Sequence, residues 1–185
     1  NSGIMNTSVR SFAVNGTTLF AGTTNGVYLS TDNGSYWVLA NSGLTNISVK
    51  CFAVKETNLF AGTDGGVFLS TNNGSNWTSI NTGLTNLKIK SLTTSGMNLF
   101  AGTDGGVFLS TNNGTNWTAV NTGLPLDIIN ALAVNGTNLF AGTLYNGIFL
   151  STNDGTSWMS VNTGLTNSSI LSLAVFGTNI FAGTY

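Results

Sequence analysis

The sequence predicts an all-β protein, a β-propeller of four-stranded antiparallel blades. Three observations lead to this prediction. An octapeptide ending in tryptophan occurs four times, with its tryptophans at 37, 77, 117 and 158, so the steps are 40, 40 and 41 residues. Each step contains four short apolar segments separated by turns rich in Gly, Asn and Asp. These segments are rich in Val, Ile and Phe and too short for helices, and such an array buries its apolar faces by stacking its units.

The first two segments of each unit predict a hairpin. The first segment has five copies: Val9–Val14, Val49–Val54, Ile89–Thr94, Ile129–Val134 and Ile170–Val175. The second reads Leu-Phe-Ala-Gly-Thr from positions 19, 59, 99 and 139, and begins with Ile at 180. Asn-Gly pairs between the two, such as Asn15-Gly16, favour the positive φ angles of a tight turn.

The third and fourth segments complete the predicted blade. The third is Val27–Ser30 in the first copy and recurs at 67–70, at 107–110 and, after a one-residue insertion, at 148–151. The fourth starts at each tryptophan, as in Trp117–Val120, and a connection of the Asn-Thr-Gly-Leu type leads to the next unit. Three hairpin turns per unit favour a propeller blade over a parallel β-helix, whose rungs are usually shorter.

The period also predicts the domain organisation. We expect a single propeller domain, or a fragment of one, over residues 1–185, with blades at about 7–40, 47–80, 87–120 and 127–161 and a half blade at 168–185. Residues 1–4 align with 41–44, so the chain begins just after a fourth strand. The last strand, 180–184, is therefore expected to offer an unpaired edge to other protein domains or to copies of the chain.

Composition excludes several classes of function. Charged residues make up 6% of the chain and the net charge is −1, so the clustered Lys and Arg that nucleic acids require are missing. No apolar run approaches the ~18 residues that span a bilayer, so we expect no membrane insertion. There is no histidine, and we expect neither a metal nor a cofactor. The single cysteine, Cys51, falls in a column of small residues and is expected to be buried and unreactive.

The octapeptide follows the pattern Ser-x-Asp/Asn-x-Gly-x-x-Trp. This pattern resembles the Asp-box, or bacterial neuraminidase repeat, of sialidases, xyloglucan-cleaving glycosidases, sortilin-type receptors and photosystem II assembly factors. The resemblance covers nearly the whole chain and implies a propeller in which each box is the hairpin between the third and fourth strands of a blade. The matching positions are Ser30, Asp32, Gly34, Trp37, Ser70, Asn72, Gly74, Trp77, Ser110, Asn112, Gly114, Trp117, Ser151, Asn153, Gly155 and Trp158.

The residue types by themselves favour a structural role for the octapeptide. Asp and Asn side chains both accept backbone N–H groups within a turn, which explains why Asn replaces Asp32 in the later copies, whereas a metal-binding carboxylate would tolerate that change poorly. The glycines supply a positive φ, and the tryptophans are expected to bury large apolar areas between blades. A motif that builds the fold seldom also carries its function.

An enzymatic role is not expected. The resemblance offers sialidase-like catalysis, which uses an arginine triad, a Tyr/Glu pair and an acid Asp, but the chain has one arginine, Arg10, and one glutamate, Glu56. Glu56 is expected on the octapeptide face, opposite the active site of that family. Asp64 and Asp104 occupy equivalent turns and are interpreted as turn formers, not as a carboxylate pair for sugar cleavage.

Two binding sites are candidates on the face opposite the octapeptides. One is an anion or carboxylated-sugar site at the channel mouth, made by residues that share one repeat position. The alternative for this column is simple solvation of the surface. The other candidate is a glycan site, in which Tyr145 of the insertion 144–146 would be the aromatic plate. The anion candidates are Arg10, Lys50, Lys90 and Asn130, and the glycan candidates are Asp64, Asp104 and Tyr145.

The sequence therefore predicts a non-enzymatic scaffold, secreted or at the cell surface, for protein interaction or assembly. A neutral polar exterior and duplicated blades suit such a role. The alternative is a carbohydrate-binding, lectin-like propeller. A third hypothesis is that the chain is the non-catalytic part of a larger glycosidase or sialidase-like protein. Saturable glycan binding by this segment alone would separate the first two.

Overall fold

The computed structural model describes residues 2–4 and 7–185, and within these residues every regular element is a strand. In chain order the strands are β1 Val9–Asn15, β2 Thr18–Thr23, β3 Gly26–Ser30, β4 Val38–Leu39, β5 Val49–Lys55, β6 Asn58–Thr63, β7 Gly66–Ser70, β8 Thr78–Ser79, β9 Ile89–Ser95, β10 Asn98–Thr103, β11 Gly106–Ser110, β12 Thr118–Ala119, β13 Ile129–Asn135, β14 Asn138–Thr143, β15 Ile148–Ser151, β16 Met159–Ser160, β17 Ile170–Phe176 and β18 Asn179–Thr184. In this part of the chain no helix is long and apolar enough to cross a membrane.

The strands form sheets in which each strand pairs with its neighbours along the chain. Four sheets have four strands, β1–β4, β5–β8, β9–β12 and β13–β16, and the strands β17 and β18 form a sheet of two. The pairing is antiparallel, with Phe12 opposite Ala21 in the first hairpin and Phe20 opposite Leu29 in the second. The predicted unit of four antiparallel strands is thus confirmed, and its first strands extend one residue further than the sequence indicated.

The fourth strand of each unit differs from the prediction. It was expected to start at tryptophan, but it has two residues and begins one position later, as in Thr118–Ala119. The reason is a hydrogen bond outside the sheet, because the backbone N–H of Trp117 donates to the carbonyl of Thr82 at 2.9 Å. The tryptophan is therefore tied to the connection that precedes its sheet, and ladder pairing starts only after it.

Both faces of the second strand in a sheet are buried. In β6, Leu59, Phe60 and Ala61 are each 0% exposed, although successive side chains of a strand point to opposite faces. This explains why the Leu-Phe-Ala-Gly-Thr segments are continuously apolar and do not alternate with polar residues.

The chain divides into two compact units, and each has its own core. The first unit reaches Asn81 and includes 87–89, and the second contains 82–86 and 90–185. In the first unit, strand β5 packs on β1 and β2, and Phe20, Phe68 and Trp77 belong to one apolar cluster. In the second unit, β13 packs on β10 and β17 packs on β13 and β14, around a cluster that contains Phe100 and Trp158.

Candidate functional site

Each octapeptide forms a tight turn that is held by its own side chains. In the first copy the Ser30 hydroxyl donates to the Asp32 carboxylate at 2.7 Å and accepts the backbone N–H of Gly34 at 2.9 Å. The same carboxylate accepts the backbone N–H of Tyr36 at 3.0 Å. Gly34 has a φ of +84°, which a residue with a side chain rarely adopts. The Ser30 hydroxyl and the Asp32 carboxylate therefore make their hydrogen bonds within the turn and have a structural role.

The amide at the Asp32 position makes the same contacts in the other copies. The Oδ1 atom of Asn72 accepts the N–H of Asn76 at 2.9 Å, and Asn153 accepts that of Ser157 at the same distance. Hydrogen bonds from Tyr36 N–H and from Ser30 lower the pKa of Asp32 below its ordinary value. The turn therefore needs an oxygen acceptor at this position but no charge.

The tryptophans that end the octapeptides are buried, with exposed fractions of 6, 2, 4 and 6% along the chain. Within the first unit, the indole N–H of Trp77 donates to the Ala40 carbonyl at 2.9 Å. Within the second, Trp158 donates to Val120 at 2.8 Å. Each indole thus joins its sheet to the end of the preceding one. Trp37 instead bonds the carbonyl of Gly34 in its own turn at 3.0 Å.

The candidate anion column lies at the opposite end of the sheets, near the start of each first strand. Lys50 falls where the register of β5 with β6 shifts between Val49 and Cys51, which marks a β-bulge. Arg10 and Asn130 fall at the same irregularity in β1 and β13. Because a bulge changes the direction of a side chain, this column leaves the regular alternation of its strand.

The structure joins the cation column to the acidic turn residues, which the sequence analysis had kept apart. The Lys50 ammonium lies 3.0 Å from the Asp64 carboxylate, and Lys90 lies 3.1 Å from Asp104. Arg10 donates to the Ser48 hydroxyl at 3.1 Å. A carboxylate at 3 Å offsets most of the positive potential that an ammonium group offers to an external anion.

Asn130 makes a structural contact. Its side-chain amide donates to the backbone carbonyl of Ile170 at 2.9 Å and so joins β13 to β17. The Asn residues that open the Asn-Thr-Gly-Leu connections are occupied in a similar way. Asn81, for example, accepts the N–H of Val67 at 2.7 Å and donates to the Gly65 carbonyl at 3.2 Å. These amides fasten the connection to the turn between the second and third strands.

The insertion in the fourth sheet has an anchor that sequence reasoning missed. The Asp127 carboxylate, in a residue that is 6% exposed, accepts the backbone N–H of Tyr145 at 3.0 Å. It also accepts the side-chain amide of Asn146 at 2.7 Å and the N–H of Ile128 at 2.7 Å. The signal was available, since the repeat places Leu87 and Ile47 at this position and the acid occurs in the one unit that carries the insertion.

Two large apolar side chains next to this anchor are open to solvent. Tyr145 is 68% exposed and Leu126, which precedes Asp127, is 90% exposed. The carboxylate therefore holds the backbone of a loop whose aromatic ring faces outward.

Within residues 2–4 and 7–185, no three His, Cys, Asp or Glu side chains lie close enough to hold a metal ion. Glu56 lies in the turn between β5 and β6 with a φ of +55°. Its neighbour Thr57 accepts a hydrogen bond from Asn15, which also bonds Asn73 of the second octapeptide, so this turn lies on the octapeptide side, as expected.

The thiol of Cys51 is enclosed by the sheet although the residue as a whole is only partly buried. Desolvation raises the pKa of this thiol to about 12. A Cβ atom on Gly62 would lie 2.5 Å from the Cys51 sulfur, which shows how closely β6 approaches it. A thiol with such a pKa is not a nucleophile at neutral pH.

Comparison with solved structures supports the architecture. The chain is similar to the extracellular domain of the one-component system BT4673 from B. thetaiotaomicron (TM-score 0.82, 24% identity), to an ancestral GH74 enzyme (0.74, 22%) and to the GH74 xyloglucanase from Xanthomonas campestris (0.65, 15%). These matches cover 100, 99 and 86% of this chain but 27, 30 and 31% of the others. The chain thus spans about a quarter to a third of those proteins, and identities this low indicate a shared fold only.

Comparison with curated proteins gives no match. The model of one sequence family, described as the DUF6242 beta propeller domain, matches residues 70–175. The matched region is more than half of the 185 residues and contains β8 to β16 entirely, with the octapeptides at 70, 110 and 151. The four-stranded sheets are therefore propeller blades, and the chain belongs to the DUF6242 beta propeller domain family.

Proposed function

We propose that this chain is a non-enzymatic propeller module for protein interaction or assembly, located outside the cell or at its surface. The observation that carries the proposal is an exposed position in β18. Phe181 is 55% exposed, whereas the residues at the same repeat position in β2, β6 and β10 are 0% exposed. Those residues are Phe20, Phe60 and Phe100.

The sheet of β17 and β18 exposes large apolar side chains. Phe176, the last residue of β17, is also exposed, at 78%. Covering a large apolar side chain contributes about 1.5–3 kcal/mol, which must offset the entropic cost of association. The edge of β18 that faces away from β17 corresponds to the edge of β2 that pairs with β3, whose sequence is Gly-Val-Tyr-Leu-Ser. A strand of this pattern would extend the sheet, and we propose that another protein domain or another copy of the chain can supply it.

The proposed location rests on similarity and on composition. The whole of this chain resembles part of the extracellular domain of BT4673, which is described as a one-component system. The present chain shares the fold of that domain and has a surface of few charges. We propose an interaction role for this chain in a comparable extracellular setting.

The association state tests the interaction proposal. We expect residues 1–185 to self-associate, or to bind a peptide with the Gly-Val-Phe-Leu-Ser pattern, with a mass change seen by light scattering after size exclusion. Phe181→Asp should abolish this association, because it places a charge in the contact. Met159→Asp, at a residue 62% exposed on the short strand β16, is the matched control and should have no effect. The proposal is contradicted if the chain remains monomeric and does not bind the peptide.

Carbohydrate binding is a second candidate, favoured by the exposed Tyr145 ring on the loop that Asp127 holds. A glycan array read with the wild-type chain and with Tyr145→Ala tests it. Binding that is lost in Tyr145→Ala and kept in Tyr36→Ala, which removes another ring that is 57% exposed, supports this function. No saturable binding, or equal loss in both variants, rejects it. Asp64 and Asp104 are less suitable as glycan contacts because each pairs with a lysine.

Two further interpretations accompany these proposals. We interpret the four octapeptides as Asp-boxes, since their hydrogen-bonded turns and buried tryptophans have the roles that the resemblance implies. The third functional reading, a non-catalytic part of a larger glycosidase, draws support from the fold shared with GH74 enzymes. In that case catalytic groups would come from residues outside this chain, and the chain alone would show no hydrolytic activity.

A further inference from the structure

A cleft of about 480 Å³ lies between the third and fourth blades, on the octapeptide side of the second unit. Its walls come from the turn between β9 and β10, the turn between β13 and β14, and the fourth octapeptide. The residues that matter for its chemistry are Ser95, Met97, Thr137, Thr152 and Asp154.

The corresponding place between the first and second blades is filled by a side chain. Asn15, which is 9% exposed, donates from its amide to the Thr57 carbonyl at 3.0 Å and to Oδ1 of Asn73 at 2.9 Å. In the repeat alignment, Asn15 corresponds to Ser95, while Thr57 and Asn73 correspond to Thr137 and Asp154. The repeat therefore shows which group occupies this place when it is closed, namely an N–H donor.

Ser95 does not reproduce this contact, because its side chain has two heavy atoms fewer than that of asparagine and ends one bond earlier. In the part of the chain that the structure describes, no hydrogen bond joins Ser95 to Thr137 or Asp154. The two acceptors that bind an amide in the first pair of blades thus border an open cleft in the third and fourth. The change from Asn73 to Asp154 also adds a negative charge to the wall.

Lys55 in the second blade and Met97 at the rim indicate which chemical group would fit this cleft. Lys55 holds the position of Asn15 in the second blade and is 7% exposed, so this column also accommodates an ammonium group on an aliphatic stem. Met97, at the rim of the cleft, is 64% exposed and offers a flexible apolar wall for such a stem.

We propose that this cleft binds an alkylammonium group, of the kind carried by a lysine side chain, through the Thr137 carbonyl and the Asp154 carboxylate. The ammonium would occupy the place that the Asn15 amide fills between the first two blades. This site lies on the opposite side of the blades from the Tyr145 loop and does not depend on the interaction through β18. Because the carboxylate is exposed to water, we expect an affinity on the order of millimolar for a small amine.

The test is a titration of the ¹⁵N-labelled chain with n-butylammonium, followed by NMR. We expect saturable shifts at the amides of Gly96, Thr137 and Asp154, and none with n-butanol, which has the same number of heavy atoms but no charge. Asp154→Asn should weaken binding about 2- to 5-fold, because an exposed ion pair contributes up to about 1 kcal/mol and a factor of ten corresponds to about 1.4 kcal/mol. Absence of saturable shifts, or equal binding by Asp154→Asn, overturns the proposal.

Two variants make the test independent of a loss of fold. Ser95→Asn should fill the cleft with its own amide and abolish binding, while the remaining spectrum stays unchanged. The double variant Asn15→Ser/Asn73→Asp should create a second site between the first two blades, seen as new shifts at Thr57. Undiminished binding by Ser95→Asn contradicts the proposed location. Nα-acetyl-lysine methylamide distinguishes the source: tighter binding than n-butylammonium indicates a peptide side chain and equal binding a free amine, and either result supports an ammonium site.

Discussion

Asp127 and Tyr145 are joined by a hydrogen bond of 3.0 Å from the tyrosine backbone N–H to the buried carboxylate, across eighteen positions of sequence. The bond ties the connection before the fourth blade to the only irregular turn between a second and a third strand in the described residues. A repeat that accepts an insertion must satisfy the additional backbone groups, and here Asp127 accepts the N–H of Tyr145 while the N–H of Asn146 donates to the Thr143 hydroxyl.

Replacing Asp127 should therefore loosen the loop before it affects the blade. In Asp127→Ala the N–H of Tyr145 and the amide of Asn146 lose their acceptor, which costs about 1–3 kcal/mol when water does not replace it fully. Urea unfolding and hydrogen exchange at Tyr145 measure the effect. Asp154→Asn, at an exposed carboxylate of the same blade, should change stability by less than about 0.5 kcal/mol. Equal effects of both variants would show that Asp127 is not an anchor.

The octapeptide turn predicts a small dependence of stability on acid. Hydrogen bonds from Tyr36 N–H and Ser30 lower the pKa of Asp32 from its ordinary 3.8. A carboxyl whose pKa is lower in the folded state stabilises the fold above the ordinary value, and this contribution is lost as the pH falls through the lowered one. Asp32→Asn should make the acid loss of stability shallower, and Asn72→Asp should make it steeper. Denaturation at pH 7 and pH 3 measures both, and unchanged slopes contradict the argument.

Periodicity predicted the fold because each repeat repeats its buried contacts. The Leu-Phe-Ala-Gly-Thr segment is continuously apolar because both faces of this strand are buried. The sequence therefore located the second strand of a blade to within one residue, as in β2 and β6. The length of the fourth strand was wrong for a reason that lies outside any single repeat. The N–H of Trp117 bonds the Thr82 carbonyl in the preceding connection, and no pattern within one unit indicates such a bond.

The candidate site was less predictable because it depends on departures from the repeat. Lys50 and Asp64 were assigned to different sites, although a bulged strand and its neighbouring turn bring them to 3.0 Å. Asp127 was overlooked because it is a single acid in a column that otherwise holds the uncharged residues Thr7, Ile47, Leu87 and Ser168. The cleft beside Ser95 could not be predicted from the sequence either. A serine at this position indicates an open space only once the structure shows that the Asn15 side chain fills the equivalent place.

The environment of Cys51 predicts a thiol that reacts only after unfolding. Its pKa of about 12 leaves almost no thiolate at pH 8, so alkylation of the native chain should be slower than that of a free cysteine by more than about 100-fold. Mass spectrometry after iodoacetamide treatment, with and without urea, measures the rate. The variant Cys51→Ser/Ser75→Cys, with its thiol at an exposed turn position, is the fast control. Rapid native labelling at Cys51 would refute the prediction.

The ion pairs at the bulges predict a weak electrostatic contribution and no anion site. Lys50 and Asp64 are both partly exposed, so a double-mutant cycle with Lys50→Gln and Asp64→Asn should give about 0.2–1 kcal/mol. Phosphate should raise the melting temperature of the wild type no more than that of the triple variant Arg10→Gln/Lys50→Gln/Lys90→Gln. A phosphate-dependent stabilisation that the triple variant loses would restore the anion hypothesis.

The tryptophans allow the strength of the contact between adjacent blades to be measured within the first unit. Trp77 donates its indole N–H to the carbonyl of Ala40, a residue that is 9% exposed, whereas Trp37 donates to Gly34 in its own turn. Trp77→Phe leaves a buried carbonyl without its donor and removes part of a packed side chain. We therefore expect a loss of about 2–4 kcal/mol from the free energy of unfolding.

Trp37→Phe is the matched control, because it removes the same atoms from an equivalent position. Its acceptor lies in a turn where water can replace the indole N–H, so the hydrogen-bond part of the loss should be at least about 1 kcal/mol smaller. Urea denaturation followed by far-UV circular dichroism measures both variants. If the two substitutions cost the same, the indole contributes through buried area alone, and the bond from Trp77 to Ala40 adds nothing to the packing of neighbouring blades.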